Sequence, residues 1–412
     1  MTTLLTNIAS LVNVREHNYL LRGKELSILP CIRDAFLIIE DDEIAAYGAM
    51  SELSLNAADF QFHFNLAGRF VLPSWCDSHS HLVFAGSREN EFIDKIKGMS
   101  YAAIAERGGG ILNSAKKIQE ISEDELFSQS CKRLQEIICL GTGAVEIKSG
   151  YGLSVEGELK MLRVVKKMKE RSKVLIKSTF LGAHTFPLDY KNDHQAYIDL
   201  ILNEMLPVIA KENLADYIDV FCERNFFSPE ETETICKAGM QYGLKPKIHA
   251  NQLSSTGAVQ TGIKLNAISV DHLETMDDES INALANSNTI GTLLPSAAFF
   301  LRMPYQPARK LIDANCAIAL ASDFNPGSSP SGNMNFVISL SCIQLNMLPE
   351  EAINAATING AFAMEVQDKV GSITKGKKAN LVVTKPIHSL NYLPYSFGTN
   401  NIEKIMLCGE WM

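Results

Sequence analysis

The run "VLPSWCDSHSH" (residues 71–81) is apolar at its start and closes on an acid and two histidines. Residues two apart on an extended strand project to the same side. His79 and His81 can therefore offer both imidazoles to one metal ion. Arg88 follows seven residues later, and a guanidinium grips a carboxylate through two parallel hydrogen bonds. Other apolar runs also end in titratable residues. These are Glu146 and Lys148 in "GAVEIKS", His184 in "VLIKSTFLGAH", Glu223 in "YIDVFCE", His249 in "KPKIHA", His272 in "AISVDH" and Asp323 in "AIALASD". Five of the nine histidines fall at such ends, too many for scattered surface residues. A third histidine and an aspartate from other runs would complete four nitrogen and oxygen donors. That shell suits Zn2+ and is also acceptable to Fe or Mn.

These runs need a scaffold that brings their carboxyl ends together. With "RFVLPSWCDSH" and "TIGTLLP" they make eight candidate strands, separated by helical segments. Ser122 with Glu125, and Ser228-Pro229 with Glu231, mark helix starts, and Gly141 and Gly243 mark ends. Pro307 falls in the first turn of "PARKLIDANC". Strands alternating with helices imply a parallel sheet. Eight units over residues 66–365 fit a (β/α)8 TIM barrel, typically ~250 residues, whose chemistry is built at the carboxyl ends of its strands. Residues 1–65 and 366–412 carry short strand-like segments such as "DAFLIIEDDEIAAYG" and "ANLVVTKP". Neither end is long enough for its own core, so they are expected to meet as one small β-sandwich.

Composition narrows the function. The chain has 412 residues, 46% hydrophobic and 21% charged, with a formal net charge of -9. An acidic chain lacks the basic face a nucleic-acid partner requires. No run approaches the roughly 18 apolar residues that span a bilayer. The start "MTTLLTNIASLVNV" lacks the charged lead of a signal peptide. Nine cysteines, an odd count without CxxC, read as reduced thiols of a cytoplasmic protein. Gly108–Gly110 lacks the Lys-Ser/Thr of a phosphate cradle and reads as an active-site loop.

The segments "DSHSHLVFAGSRENEF", "EIKSGYGL", "FLGAHTFP", "KIHANQLSSTGA", "SVDHLE" and "ASDFNPGSSP" together resemble the amidohydrolase superfamily. Its pattern is H-x-H after the first barrel strand, His after the fifth and sixth, and Asp after the eighth. A narrower resemblance, to the branch acting on imidazolone propanoate, covers nearly the whole chain. It implies one divalent or trivalent metal ion per chain, zinc with iron as the alternative, held by His79, His81, His249 and Asp323. It implies substrate contacts from Arg88, Tyr101, Tyr151, His184, Gln252, Asn325, Gly327 and Ser328. Asp323 and His272 would carry the catalysis, with Gln252 beside them. A homodimer acting on a small molecule, with neither nucleic acid nor membrane as partner, is expected.

The resemblance implies hydrolytic ring opening, with water activated at the ion and its proton taken by Asp323. Lys148 lies on the second strand rather than the fourth, where a modified lysine would bridge two metals, so one metal is expected. Gln252 stands where the superfamily's deaminases carry a proton-shuttling Glu, which counts against deamination. Asn251 replaces an acid common in relatives. The alternatives are another cyclic amidohydrolase or deaminase of the superfamily, and an inactive binding or assembly relative. Such relatives usually lose metal ligands.

Overall fold

The computed structural model describes residues 1–99 and 109–412. Eight parallel strands form the central sheet: β6 (Trp75–Ser80), β7 (Thr142–Lys148), β8 (Leu175–Ala183), β9 (Tyr217–Cys222), β10 (Lys245–Ala250), β11 (Ser269–His272), β12 (Ile290–Leu293) and β13 (Ile318–Leu320). They pair in strict chain order from β6 to β13. The circle closes between the end of β6 and the residues just past β13. Ser80 bridges Phe324, Asp323 N–H donates to His79 O at 3.0 Å, and His81 N–H donates to Phe324 O at 2.9 Å. Every residue of β6 and β7 is buried, as strands covered on both faces must be.

Helices follow the strands and cover them. Glu123–Cys139 begins at Ser122, whose Oγ accepts the Glu125 N–H at 3.2 Å. Pro229–Gln241 begins with a full reciprocal cap between Ser228 and Glu231. Met334–Gln344 and Pro349–Ala356 complete the outer layer after β13. Outward residues of the strands, among them Ile218, Val220, Ile248 and Val270, join this layer in the largest apolar cluster. No helix among the described residues is long and apolar enough to cross a membrane.

The two chain ends meet. β1 (Thr2–Val12), β2 (Cys31–Glu40), β3 (Glu43–Ala49), β4 (Phe62–Asn65) and β5 (Phe70–Pro73) share one sheet with β14 (Leu381–Thr384), β15 (Ile402–Leu407) and β16 (Glu410–Trp411). Leu5, Leu37, Val71, Leu381 and Met406 form its core. The fold is thus a (β/α)8 barrel with a small β-sandwich built from the N- and C-terminal segments. One expectation is corrected. "RFVLPSWCDSH" is not a single barrel strand, because Phe70–Pro73 pairs with β14 and β1 while Trp75–Ser80 pairs with β7. An uninterrupted apolar run does not reveal that its two halves serve different sheets.

Candidate metal centre and substrate pocket

The polar strand ends converge. One ring nitrogen each from His79, His81 and His249 lie within 4.8 Å of one another, and His79, His272 and Asp323 form a second such group. Asp323 Oδ1 is 3.6 Å from His79 Nε2 and 3.5 Å from His81 Nε2. The barrel closure that joins Asp323 N–H to His79 O fixes this approach through the backbone. His272 and Asp323 adopt left-handed backbone, with φ of 87° and 52°. That conformation is unfavourable for residues with a side chain and persists where the surroundings enforce it. Here it turns both side chains toward the histidines.

The donor set fits a divalent metal ion. His79 Nε2 and His249 Nε2 are buried and have no hydrogen-bond partner, although buried polar atoms are normally satisfied. Their opposite nitrogens are spoken for. His79 Nδ1 is 2.7 Å from Asp271 Oδ2, and His249 Nδ1 is 2.9 Å from Asp219 Oδ2. A carboxylate at Nδ1 holds the N–H there and leaves Nε2 as a lone-pair donor.

Beneath the histidines the barrel interior is ionic rather than filled with branched aliphatics. Lys148 Nζ donates to Glu146 Oε1 at 2.6 Å and Asp219 Oδ2 at 2.8 Å, with Asp271 Oδ2 at 3.6 Å. Lys247 Nζ donates to the other Glu146 oxygen and to Ser78 O at 3.0 Å. All five side chains are fully buried. Burial opposes the Lys148 charge, but Asp219, Glu146 and Asp271 outweigh it and raise its pKa. Such a cluster survives burial only because each charge is paired. Lys148 is committed to this network.

Burial holds the imidazoles of His79, His81 and His249 well below their ordinary pKa, so they stay neutral, as ligands must. His184 is pushed down to about 4 for the same reason. His272 moves the other way. Burial opposes its charge, but Glu274, 3.5 Å from its Nδ1, and Asp323 raise its pKa. Burial lifts the Asp323 carboxyl to about 6, against the pull of His272, Ser328 and Asn325.

Above the cluster opens a cavity of about 650 Å3, lined by Arg88, Tyr151, His184, Gln252, Asn325, Gly327 and Ser328 together with His81, His249, His272 and Asp323. Tyr101, expected beside them, and Gly108 of the glycine tract lie outside the described residues. The Tyr151 ring stands 5.8 Å from that of His81 and 5.5 Å from that of His184. Its loop is tied by Glu158, which accepts the N–H groups of Gly150, Gly152 and Leu153. Gly150 has φ of 110°, and a Cβ there would come 2.8 Å from His184 Nδ1. Only glycine suits that turn.

Two residues do more inside the protein than their types suggest. Asn325 Oδ1 accepts from Gly327 and Ser328 N–H, and its Nδ2 donates to Asp323 O and Ser328 Oγ. It shapes the loop that carries Asp323, and Ser328 Oγ donates to Asp323 Oδ2 at 3.0 Å. Asn251, the departure noted in the sequence, is structural. It sits at φ 53°, its Nδ2 donates to Thr275 O, and its own carbonyl accepts from Thr275. Arg88 is also engaged, with Nε and Nη2 donating to Glu91 Oε2 at 2.8 and 2.6 Å.

The sequence reading missed Asp219, Asp271, Glu158, Glu91 and Lys95. Asp219 and Asp271 did carry a signal, each being an acid inside a buried apolar strand. Glu158 and Glu91 looked like ordinary acids in the first turn of a helix.

Comparisons agree with this architecture. The model of the Amidohydrolase family matches residues 222–412. The fold resembles a mutant atrazine chlorohydrolase from Arthrobacter aurescens solved with zinc and atraton, with a TM-score of 0.72 at 13% identity over 99% of this chain and 94% of that one. It also resembles an adenosine deaminase from Xanthomonas campestris with bound zinc, at TM-score 0.70 and 14% identity over 99% of this chain and 92% of that one. The protein is an amidohydrolase, a (β/α)8 metal-dependent hydrolase. Its sequence is 57% identical to an imidazolonepropionase of Flavobacterium johnsoniae and 56% identical to one of Christiangramia forsetii, each over the whole of both chains. An imidazolonepropionase of Alkaliphilus oremlandii is 39% identical over 98% of this chain and 96% of its own. The chain belongs to the imidazolonepropionase family.

Proposed function

We propose that the chain hydrolyses 4-imidazolone-5-propanoate, opening the ring to N-formimidoyl-L-glutamate. The observation that carries this reading is the pairing, in one cavity, of a cluster of His and Asp donors with the directed guanidinium donor of Arg88. Such a cavity suits a small polar ring carrying an anionic tail. Full-length similarity to imidazolonepropionases supports it.

His79, His81, His249 and Asp323 would hold one ion, zinc by their nitrogen-rich donor set, with iron as the alternative. Such an ion supplies Lewis-acid activation of water at neutral pH. The protein's own groups do the rest. Asp323 accepts the proton of the attacking water and returns it to the ring nitrogen as the C–N bond breaks and the new C–O bond forms. Ser328 and the Asn325 loop hold that carboxylate in line. His272, its positive charge favoured by Glu274, offsets the negative charge that develops on the carbonyl oxygen. Arg88, Tyr151 and His184 fix the tail and ring, so that the carbonyl faces the cluster. Gln252 can orient the ring by hydrogen bonds but cannot relay a proton.

The test is loss of imidazolone ultraviolet absorbance with purified protein, and formation of formimidoylglutamate. Metal-stripped protein should be inactive and recover with one equivalent of zinc. No ring opening by the metal-loaded enzyme would refute the assignment.

A further inference from the structure

Arg88 is the residue whose type announces a carboxylate site, yet its charge is already met. Two of its guanidinium nitrogens bind Glu91, and the other Glu91 oxygen accepts the Gly110 N–H at 3.1 Å. What remains is Nη1, which lies against Gly327, where a Cβ would come within 2.4 Å of it. Arg88 and Glu91 together are close to neutral. They form a directed donor, without a net charge to attract an anion.

Lys95 lies on the helix Glu89–Ile96, one turn beyond Glu91, so these two share a face, and Arg88 caps the helix start. It lines the same cavity. Its Nζ donates to Gly327 O at 3.3 Å, and among the described residues no carboxylate lies within ion-pair distance of it. The Phe300 ring stands 5.7 Å away, and Phe92 stacks on Phe300, so the ammonium faces an apolar wall. A half-buried cation beside apolar rings gains more from an incoming anion than one at the open surface.

The placement along the chain also fits. Lys95 binds the Gly327 carbonyl, and the next residue, Ser328, binds the Asp323 carboxylate. The ammonium therefore sits one residue along the chain from the hydroxyl that touches the reacting centre. A ring held at Asp323 would extend a tail of a few carbons toward Lys95.

We propose that Lys95 supplies the net positive charge that recognises the carboxylate tail of the ligand, with Arg88 Nη1 as the directional partner. Lys95 thereby sets the preference for an anionic over a neutral tail. This inference rests on the functional reading above but is tested separately from it. Binding of imidazole-4-propanoate, which has no carbonyl to hydrolyse, is measured by calorimetry on the metal-loaded enzyme and on Lys95→Met. The neutral 4-ethylimidazole serves as the control ligand.

Lys95→Met should bind the propanoate about tenfold or more weakly, the scale of one charge-assisted contact, and bind 4-ethylimidazole as the wild type does. Lys95→Arg should restore most of the difference. In turnover of imidazolone propanoate, the loss should fall on KM rather than kcat. Equal weakening toward both ligands would make Lys95 a structural residue, and unchanged propanoate binding would remove it from recognition. Both results overturn the proposal. If the wild type fails to open the imidazolone ring, the functional reading falls alone, because the binding arm still decides the role of Lys95.

Discussion

His79 Nδ1 and Asp271 Oδ2 are 2.7 Å apart in the closed interior of the barrel, and neither side chain is exposed. The contact fixes the tautomer of the first ring in the H-x-H pair. Asp271 is held in turn by Ser269 Oγ at 2.6 Å, with Lys148 Nζ at 3.6 Å. The chain thus orients a proposed metal ligand through a carboxylate on the ring nitrogen that faces away from the cluster. Asp271→Asn should lower metal affinity about 10- to 100-fold, the usual scale for such partners, as measured by competition with a chelator. Wild-type affinity in that variant would mean the ring is oriented by packing alone.

His249→Ala removes one donor and leaves Asp219 facing Lys148. Stoichiometric metal and ring-opening activity should vanish together. Metal analysis by mass spectrometry alongside the activity assay checks this, and an active variant free of metal would dismantle the proposed shell.

Asp323→Asn keeps the shape and the Ser328 contact but removes the proton acceptor. Turnover should fall about 10²- to 10⁴-fold, the range for a positioned acid or base. Substrate binding should change less, because Arg88 and Lys95 are untouched. Steady-state kinetics on metal-reloaded variant separates the two, and a near-normal kcat would assign the proton to another group.

How much of this could be read from the chain alone differs by level. His79, His81, His249, His272 and Asp323 were legible because each ends an apolar run, and barrel strands present their ends to one place. The supporting groups were not. Asp219 and Asp271 are visible as acids within buried strands, but which histidine each serves depends on which strands are neighbours. Here His249 is directly cross-strand from Asp271, yet its Nδ1–H donates to Asp219. The division at Ser74 was hidden because both halves of the run are buried, so no change of pattern marks the passage between sheets. Lys95 reads as one more charge on a polar helix, and only its position over Gly327 distinguishes it.

His184 makes the buried electrostatics testable. Burial takes its pKa from an ordinary 6.5 to about 4, although Gly150 O, 3.0 Å from its Nδ1, favours the charged ring. As pH falls, the unfolded chain therefore takes up this proton first. The stability contributed by the neutral ring is complete above about 6.5 and is lost progressively down to about 4. His184→Gln lacks this titration. The gap in unfolding free energy between wild type and variant should stay constant above pH 6.5 and narrow below it. The slope should be less than about 1.4 kcal/mol per pH unit, since the ring is partly open to the cavity. Urea unfolding of both metal-stripped proteins at pH 8, 6.5 and 5 gives the comparison, with metal loss removed as a variable. A gap that does not change with pH would show that the ring titrates as it does in water.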